Sequence, residues 1–360
     1  MYLVIRAQMD LFLHFNNAMF GCKCNNVFLL VSILLLPQTT PSPNPTILYD
    51  IYPFIRVYTN GTIQRFIGQD FSPPNDDPLS AVRSKDIQIS PNPNLISARL
   101  YLPRPPHPSH RFPLLIYFHG GGFFTESAFS NTYHTHLTSL ASKSKVLAVS
   151  VNYRLAPEHP LPTAYQDAWR ALKWSLRHAA GINGTEPWLT RHADFNRVYL
   201  GGDSVGANIA HRMSLLIGEG YSGVRVAGMF LNCPYFLGSR AVGNELASEY
   251  SYVAEQMKKL WRYAYPNSTG GLDDPLVNPG MDRGLRGVGC GKVLVYVAGN
   301  DWLKYRGWYY KGALSRSGWV GEIKVVEVGG ESHVFNLINP RTPKALAMLT
   351  ALANFLNARW

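Results

Sequence analysis

Two hydrophobic patterns alternate along the chain from Ile96 onward. Short, nearly unbroken apolar runs stand at residues 114–118, 146–151, 224–231, 292–297 and 323–328, and another run, from Arg197 through Leu200, stops at Gly201. Runs of this length predict strands buried on both faces, while residues 96–102 alternate with a strand's period of two. Between the runs the period lengthens. Residues 161–180 carry Tyr165, Ala168, Trp169, Leu172 and Leu176 at helical spacing, and Ile209, Met213 and Leu216 repeat it after Ser204. Residues 305–316 and 343–356 read as further helices. Strands separated by helices predict a mostly parallel sheet sandwiched by helices, an α/β architecture. One stretch breaks the rhythm: about sixty residues between Leu231 and Lys292, with a helical, aromatic-rich portion at 250–265 and a Pro/Gly-rich tail. An insertion of that size predicts a cap or lid over the sheet.

Composition narrows this picture only in places. A length of 360 residues suits one large domain or two ordinary ones, and an apolar content of 46 % supplies a globular core. The formal charge of +11 raises the question of nucleic acid. Lys and Arg are interspersed with Asp and Glu and form no long basic run, so no nucleic-acid partner is expected. Cys22, Cys24, Cys233 and Cys290 make neither a disulfide framework nor a zinc pattern. His134 and His136 lack a third ligand at metal spacing, and no metal or cofactor is expected. No internal repeat is found.

Residues 1–45 read as a leader and 46–360 as the folded domain, with the cap insertion at about 233–291. Within the leader, residues 27–36 are apolar but too short to span a bilayer, and Pro37 through Pro43 follow as a polar flank. That pattern fits a signal-peptide core, and equally a leader on a cytoplasmic enzyme. The triplets at Asn60, Asn183 and Asn267 become glycosylation acceptors only in the first case.

The chemistry concentrates at strand ends. Gly202-Asp203-Ser204-Val205-Gly206 is a G-x-S-x-G turn between a predicted strand and a predicted helix. Its glycines allow a turn sharp enough to expose a serine oxygen, and the helix that follows aims amides at the site. A serine nucleophile needs a base, and a developing oxyanion needs fixed donors. His119-Gly120-Gly121-Gly122-Phe123 follows the strand at 114–118, so the amides of Gly121 and Gly122, with that of Val205, are the expected oxyanion hole. Asp301 and His333 each follow a later strand, giving the chain order Ser, Asp, His expected of an acid-oriented base. Phe124, Trp261 and Tyr265 are the expected aromatic substrate contacts.

Together with Asn152-Tyr153-Arg154-Leu155-Ala156-Pro157-Glu158-His159-Pro160 and Pro53-Phe54-Ile55-Arg56-Val57-Tyr58, these motifs resemble the hormone-sensitive-lipase-type carboxylesterases of the α/β-hydrolase superfamily, and most closely their plant branch, which also includes the gibberellin receptor. The resemblance runs from about Ile51 to the end. It implies a mostly parallel eight-stranded sheet, a cap built partly by the N-terminal segment, and cofactor-free hydrolysis of short-chain or small aromatic esters. Residues before about Thr46 fall outside it, which favours the cytoplasm over the secretory pathway, with no stable membrane partner. Two departures are notable: Val205 replaces a small residue and is expected to narrow the pocket, and Tyr305 replaces a second Asp, leaving Asp301 as the candidate acid. Two other functions stay open within the resemblance, a hydroxyisoflavanone dehydratase-like lyase and a small-molecule receptor. The receptor lacks the catalytic histidine, whereas His333 is present here.

Overall fold

The computed structural model describes residues 45–90, 96–180, 185–220 and 225–358. The leader's apolar run, Cys22 and Cys24 lie outside these residues. In chain order the strands are β1 (Ile47–Ile51), β2 (Ile55–Tyr58), β3 (Ile63–Arg65), β4 (Asp76–Asp77), β5 (Val82–Gln88), β6 (Ser97–Pro103), β7 (Phe112–Phe118), β8 (Leu147–Asn152), β9 (Ala193–Asp203), β10 (Val226–Asn232), β11 (Lys292–Ala298) and β12 (Glu322–Val328). The helices are α1 (Asn131–Ser144), α2 (Thr163–Arg177), α3 (Pro187–His192), α4 (Val205–Gly218), α5 (Ser251–Ala264), α6 (Lys304–Arg316), α7 (Phe335–Ile338) and α8 (Pro343–Asn357).

The main sheet runs β12-β11-β10-β9-β7-β8-β6-β5-β4. The strands from β12 through β8 are mutually parallel, and β6, β5 and β4 continue the sheet antiparallel. It therefore has nine strands where eight were expected, because the two-residue β4 extends its edge. Its central strands are apolar on both faces: every residue of β7 is buried. Two layers of hydrophobic core follow, one of which takes in Leu114, Ile116 and Phe118, the other Leu115 and Tyr117. Alternate side chains of one strand thus fill opposite layers, as the pleat requires.

Chain order and sheet order part company at β7. The strand after it, β8, pairs on one side and β9 on the other, so the carboxyl ends of β7 and β9 flank a crevice at a topological switch point. Ligands in open α/β sheets bind at such places. Above it sit two pieces from distant parts of the chain. The antiparallel β1-β2-β3 sheet meets α5, where Tyr49 stacks on Tyr263 with ring centroids 4.0 Å apart. Helix α5 is tied to the body by the Leu161 amide donating to the Ala264 carbonyl at 2.8 Å and Tyr235 Oη donating to the Met257 carbonyl at 2.6 Å. No helix among the described residues is long and apolar enough to cross a membrane.

Candidate active site

Strand β9 ends at Asp203 and α4 starts at Val205, leaving Ser204 to make the whole turn at φ 51°, ψ −120°. A non-glycine residue there is strained, and its neighbours hold it. The Ser204 amide donates to the Asn232 carbonyl at 2.9 Å, and the Ser204 carbonyl accepts from the Tyr235 amide at 3.0 Å. The flanking glycines are required by contact. A Cβ on Gly206 would stand 2.0 Å from the Phe118 carbonyl oxygen, and one on Gly202 would stand 2.4 Å from the Gly206 carbonyl.

The loop after β7 lies across this turn. Gly121 and Gly122 take φ values of +96° and +67°, open to glycine and strained for other residues. The carbonyl of Gly121 accepts from the Phe124 and Thr125 amides, which folds the loop back on itself. The amides of Gly121, Gly122 and Val205 have no acceptor among the described residues. All three are free donors on the two segments that flank the serine.

The loop is fixed from below by a buried carboxylate. Asp203 accepts from Tyr117 Oη and from Tyr133 Oη, each at 2.8 Å, and Tyr133 Oη accepts from the Gly120 amide at 2.6 Å. Burial pushes the Asp203 carboxyl up to about 6, against the pull of its two phenol donors. Gly120 is a glycine for the same reason, since its Cβ would meet the Asp203 carboxylate at 2.4 Å.

The two loops after β11 and β12 are joined by the Gly299 amide donating to the Val328 carbonyl and the Asn300 amide to the Glu331 carbonyl. That join brings Asp301 and His333 together: His333 Nδ1 lies 2.6 Å from Asp301 Oδ2, and the Leu303 amide donates to Asp301 Oδ1 at 3.0 Å. Asp301 is 7 % exposed. Burial disfavours a charged imidazole, yet the adjacent carboxylate overrides it and holds the His333 pKa well above the ordinary value. With Nδ1–H directed at Asp301, Nε2 is left to accept a proton. Cys233, Asp301 and His333 are also the one group of three metal-ligand types gathered among the described residues. The direct bond between the acid and the base makes it a proton-handling pair. His134 and His136 diverge as expected for residues two apart: His134 Nδ1 lies 3.3 Å from an Arg99 nitrogen, while His136 is buried in the cavity wall.

Ser204, Asp301, His333, Gly121 and Gly122 line one cavity of about 550 Å³. Its apolar lining comes from Pro53 and Phe54 before β2, Ile67 after β3, Val253, Met257 and Leu260 of α5, Trp302 and Leu303 before α6, and Val334, Leu337, Ile338 and Pro340 in and around α7. The aromatic contacts expected from the sequence do not line it. Phe124 is fully buried and Trp261 turns into the core, where its Nε1 donates to the Gly271 carbonyl at 2.7 Å; the Tyr265 ring packs edge-on against Trp261. Helix geometry explains the miss. Residues 253, 257 and 260 form one stripe at i, i+4 and i+7, and Trp261 lies one step further round. Val205 is likewise fully buried outside the lining, so its side chain does not narrow the pocket. Tyr133 and Glu126 were not singled out by sequence, and His136 was weighed there only as a metal ligand; the signal available was Ser130 preceding a helix whose inner face is mixed in polarity.

Comparison with known proteins identifies the family. The sequence profile of the alpha/beta hydrolase fold family matches residues 115–337. The chain is 45 % identical over 316 residues to probable carboxylesterase 1 of Arabidopsis thaliana, covering 86 % of this chain and 97 % of that one. It is 43 % identical over 329 residues to a 2-hydroxyisoflavanone dehydratase of Glycyrrhiza echinata, covering 89 % and 99 %. Among solved structures, a hyperthermophilic esterase from Pyrobaculum calidifontis superposes with a TM-score of 0.64 at 28 % identity, covering 76 % of this chain and 85 % of that one. The chain therefore belongs to the plant carboxylesterases of the hormone-sensitive-lipase-type branch of the α/β-hydrolase superfamily, and is a carboxylic ester hydrolase.

Proposed function

We propose that the chain is a serine carboxylesterase that hydrolyses short-chain or small aromatic esters through an acyl-enzyme. The observation that carries this reading is the 2.6 Å bond between His333 and Asp301 inside the cavity that also holds Ser204. Ser204 Oγ attacks the ester carbonyl carbon as His333 Nε2 takes its proton. The carbonyl oxygen becomes an oxyanion facing the amides of Gly121, Gly122 and Val205, each such donor being worth about 10²–10³ in kcat. Collapse breaks the C–O bond to the alcohol, which leaves with the proton from His333. Water then repeats the sequence on the acyl-enzyme, and Asp301 stabilises the imidazolium both times. A cavity of about 550 Å³ suits small esters.

The test is release of nitrophenol from p-nitrophenyl acetate and butyrate. Turnover is expected from the purified chain and not from its Ser204→Ala variant; equal turnover by both would remove Ser204 from the mechanism.

A second reading, loss of water from a 2-hydroxyisoflavanone, is supported by two relatives so named, at 43 % and 41 % identity. Incubation with that substrate separates the two, since the lyase yields the dehydrated isoflavone. The third reading, a small-molecule receptor, is disfavoured by the paired His333 and Asp301. We place the enzyme in the cytoplasm, because the resemblance begins after the signal-like run; a tulip relative at 43 % identity is described as chloroplastic. The segment from about 233 to 291 is read as the cap, supported by the α5 residues in the cavity wall.

A further inference from the structure

The cavity lining divides by chemistry. Its apolar portion comes from the N-terminal segment, from α5, from Trp302 and Leu303 ahead of α6, and from Val334, Leu337, Ile338 and Pro340 in and around α7. A polar portion comes from Glu126 and the first turns of α1, with Asn131, Thr132, Thr135 and His136. The acyl-transfer steps above use none of these groups. The polar portion lies close to the nucleophile, because Tyr133 in the same turns of α1 bonds both Asp203 and the Gly120 amide.

Two of its members carry hydrogen-bonding capacity that the protein leaves unused. His136 is 7 % exposed, lines the cavity, and its Nε2 has no hydrogen-bond partner. Burial holds its pKa down to about 4, so the ring is neutral at pH 7. An unpaired ring nitrogen at that depth weakens the folded state unless something bound satisfies it. Glu126 sits at φ 70° on the loop that supplies the oxyanion hole. Its Oε2 accepts from Ser130 Oγ at 2.6 Å, and Oε1 has no partner among the described residues. Gly68 backs it so closely that an added Cβ would stand 2.5 Å from the Glu126 amide nitrogen and 2.7 Å from its Cδ. Burial pushes its carboxyl up to about 7, aided by the charges of Asp70 and Asp203, although the Ser130 bond opposes this. Near neutral pH it can therefore accept a hydrogen bond, or donate one.

We propose that Glu126 and His136 form a hydrogen-bonding subsite that recognises hydroxyl groups on the ester, making hydroxylated esters the preferred substrate class. The inference deepens the esterase reading and rests on it for the identity of the reacting bond. Neither residue touches the proton transfer; both select what is held for it. A site that bonds a substrate hydroxyl discriminates against the analogue lacking it, because its own buried polar groups are then left unpaired. The hydrocarbon of α5 and the N-terminal strands would take the remaining, apolar part of the same molecule.

The test is equilibrium binding in the Ser204→Ala background, with catalysis switched off. Dissociation constants are measured by calorimetry for the three monohydroxyphenyl acetates against phenyl acetate, and for the three methyl hydroxyphenylacetates against methyl phenylacetate. These probes move one hydroxyl round the ring on the alcohol side and on the acyl side. At least one is expected to bind about fivefold tighter than its parent, the worth of one net hydrogen bond. Adding Glu126→Leu or His136→Phe should lower that preference at least about threefold, while Glu126→Gln, which keeps an acceptor oxygen, should retain more of it. A ratio of two constants on one protein is unaffected by a misfolded fraction, and His136→Phe stands if Glu126→Leu does not fold. The proposal is overturned if every hydroxylated probe falls short of fivefold, or if the preference persists in both apolar variants. A flat binding scan leaves the Ser204 assignment untouched, and loss of that assignment leaves the binding ratios readable.

Discussion

Replacing Tyr133 by phenylalanine removes a single oxygen that serves two partners. Tyr133 Oη donates to Asp203 at 2.8 Å and accepts from the Gly120 amide at 2.6 Å, in a side chain 3 % exposed. Losing a hydrogen bond to a charged group costs about 1.5–3 kcal/mol, and a buried amide left unpaired costs about 1–3 kcal/mol. The two losses share one oxygen and do not simply add, so the expected destabilisation is roughly 3–5 kcal/mol. Its pH dependence has a definite sign. The Asp203 carboxyl is already raised to about 6, and the Tyr133 phenol is one of the two donors that keep it from rising further. Without that donor the folded variant holds the Asp203 proton to still higher pH. Below about pH 5 the carboxyl is largely protonated in both folded proteins, and the deficit falls towards the part owed to the unpaired Gly120 amide. As pH rises towards 8 the variant must bury a carboxylate with one fewer donor, and the deficit grows. Urea denaturation of wild type and Tyr133→Phe at pH 5 and pH 8 measures both quantities. Turnover should also fall, because Gly120 leads directly into the two amides facing the oxyanion. A deficit under about 1 kcal/mol at pH 8, or one equal at the two pH values, would refute the argument.

Asp301→Asn should lower kcat by about three to four orders of magnitude with little effect on folding. It should also shift the pH profile. His333 must be neutral to act as base, and Asp301 holds its pKa well above normal, so wild-type kcat/KM should be lost as pH falls through a limb above the usual imidazole value of about 6.5. Removing the carboxylate charge takes away the main opposition to burial, leaving the smaller effect of Cys233, and the limb should move to lower pH; an unmoved limb would contradict this. Glu245→Gln strips the charge from a pair whose side chains are each 3 % exposed, with Arg306 Nε at 2.5 Å from Glu245 Oε1. The guanidinium is then left with the neutral amide oxygen, the carbonyls of Gly238 and Arg240 and the Tyr309 ring, and has no carboxylate bonded to it, so a loss of about 3–5 kcal/mol is expected in the same denaturation assay, and a loss under about 1 kcal/mol would oppose it.

What the sequence discloses and what it hides follow from the range of the forces involved. Strands β7, β8, β10 and β11 are almost wholly buried, so continuous apolar runs mark them within about two residues, whereas β9 starts four residues before its apolar run because its first half is partly exposed. The Ser204 turn is legible because steric contact at Gly202 and Gly206 admits only glycine, and the positions of Asp301 and His333 follow from strand ends. Helix α1 is obscured because its inner face mixes Leu137 and Leu140 with Tyr133, His136 and Ser144, diluting the periodic signal. The small β1-β2-β3 sheet is hidden by strands of three to five residues, too short to hold a pattern. Pocket lining is hidden most deeply. A rotation of about 100° along α5 separates Leu260 in the cavity from Trp261 in the core, and only the packing of α5 against the body sets that rotation. The unpaired nitrogen of His136 and the clamped Glu126 belong to the same class, since each depends on contacts between segments far apart in sequence.

The central claim is that Ser204 carries the acyl group between two transfers driven by His333. Intact-protein mass spectrometry after rapid mixing with p-nitrophenyl butyrate and acid quench tests it directly. The account predicts one added butanoyl group per chain, located on the peptide bearing Ser204, accumulating in the His333→Ala variant only at trace levels and in Ser204→Ala not at all. A turnover-competent wild type with no acylated species at any quench time, or with the acyl group on another residue, would contradict it.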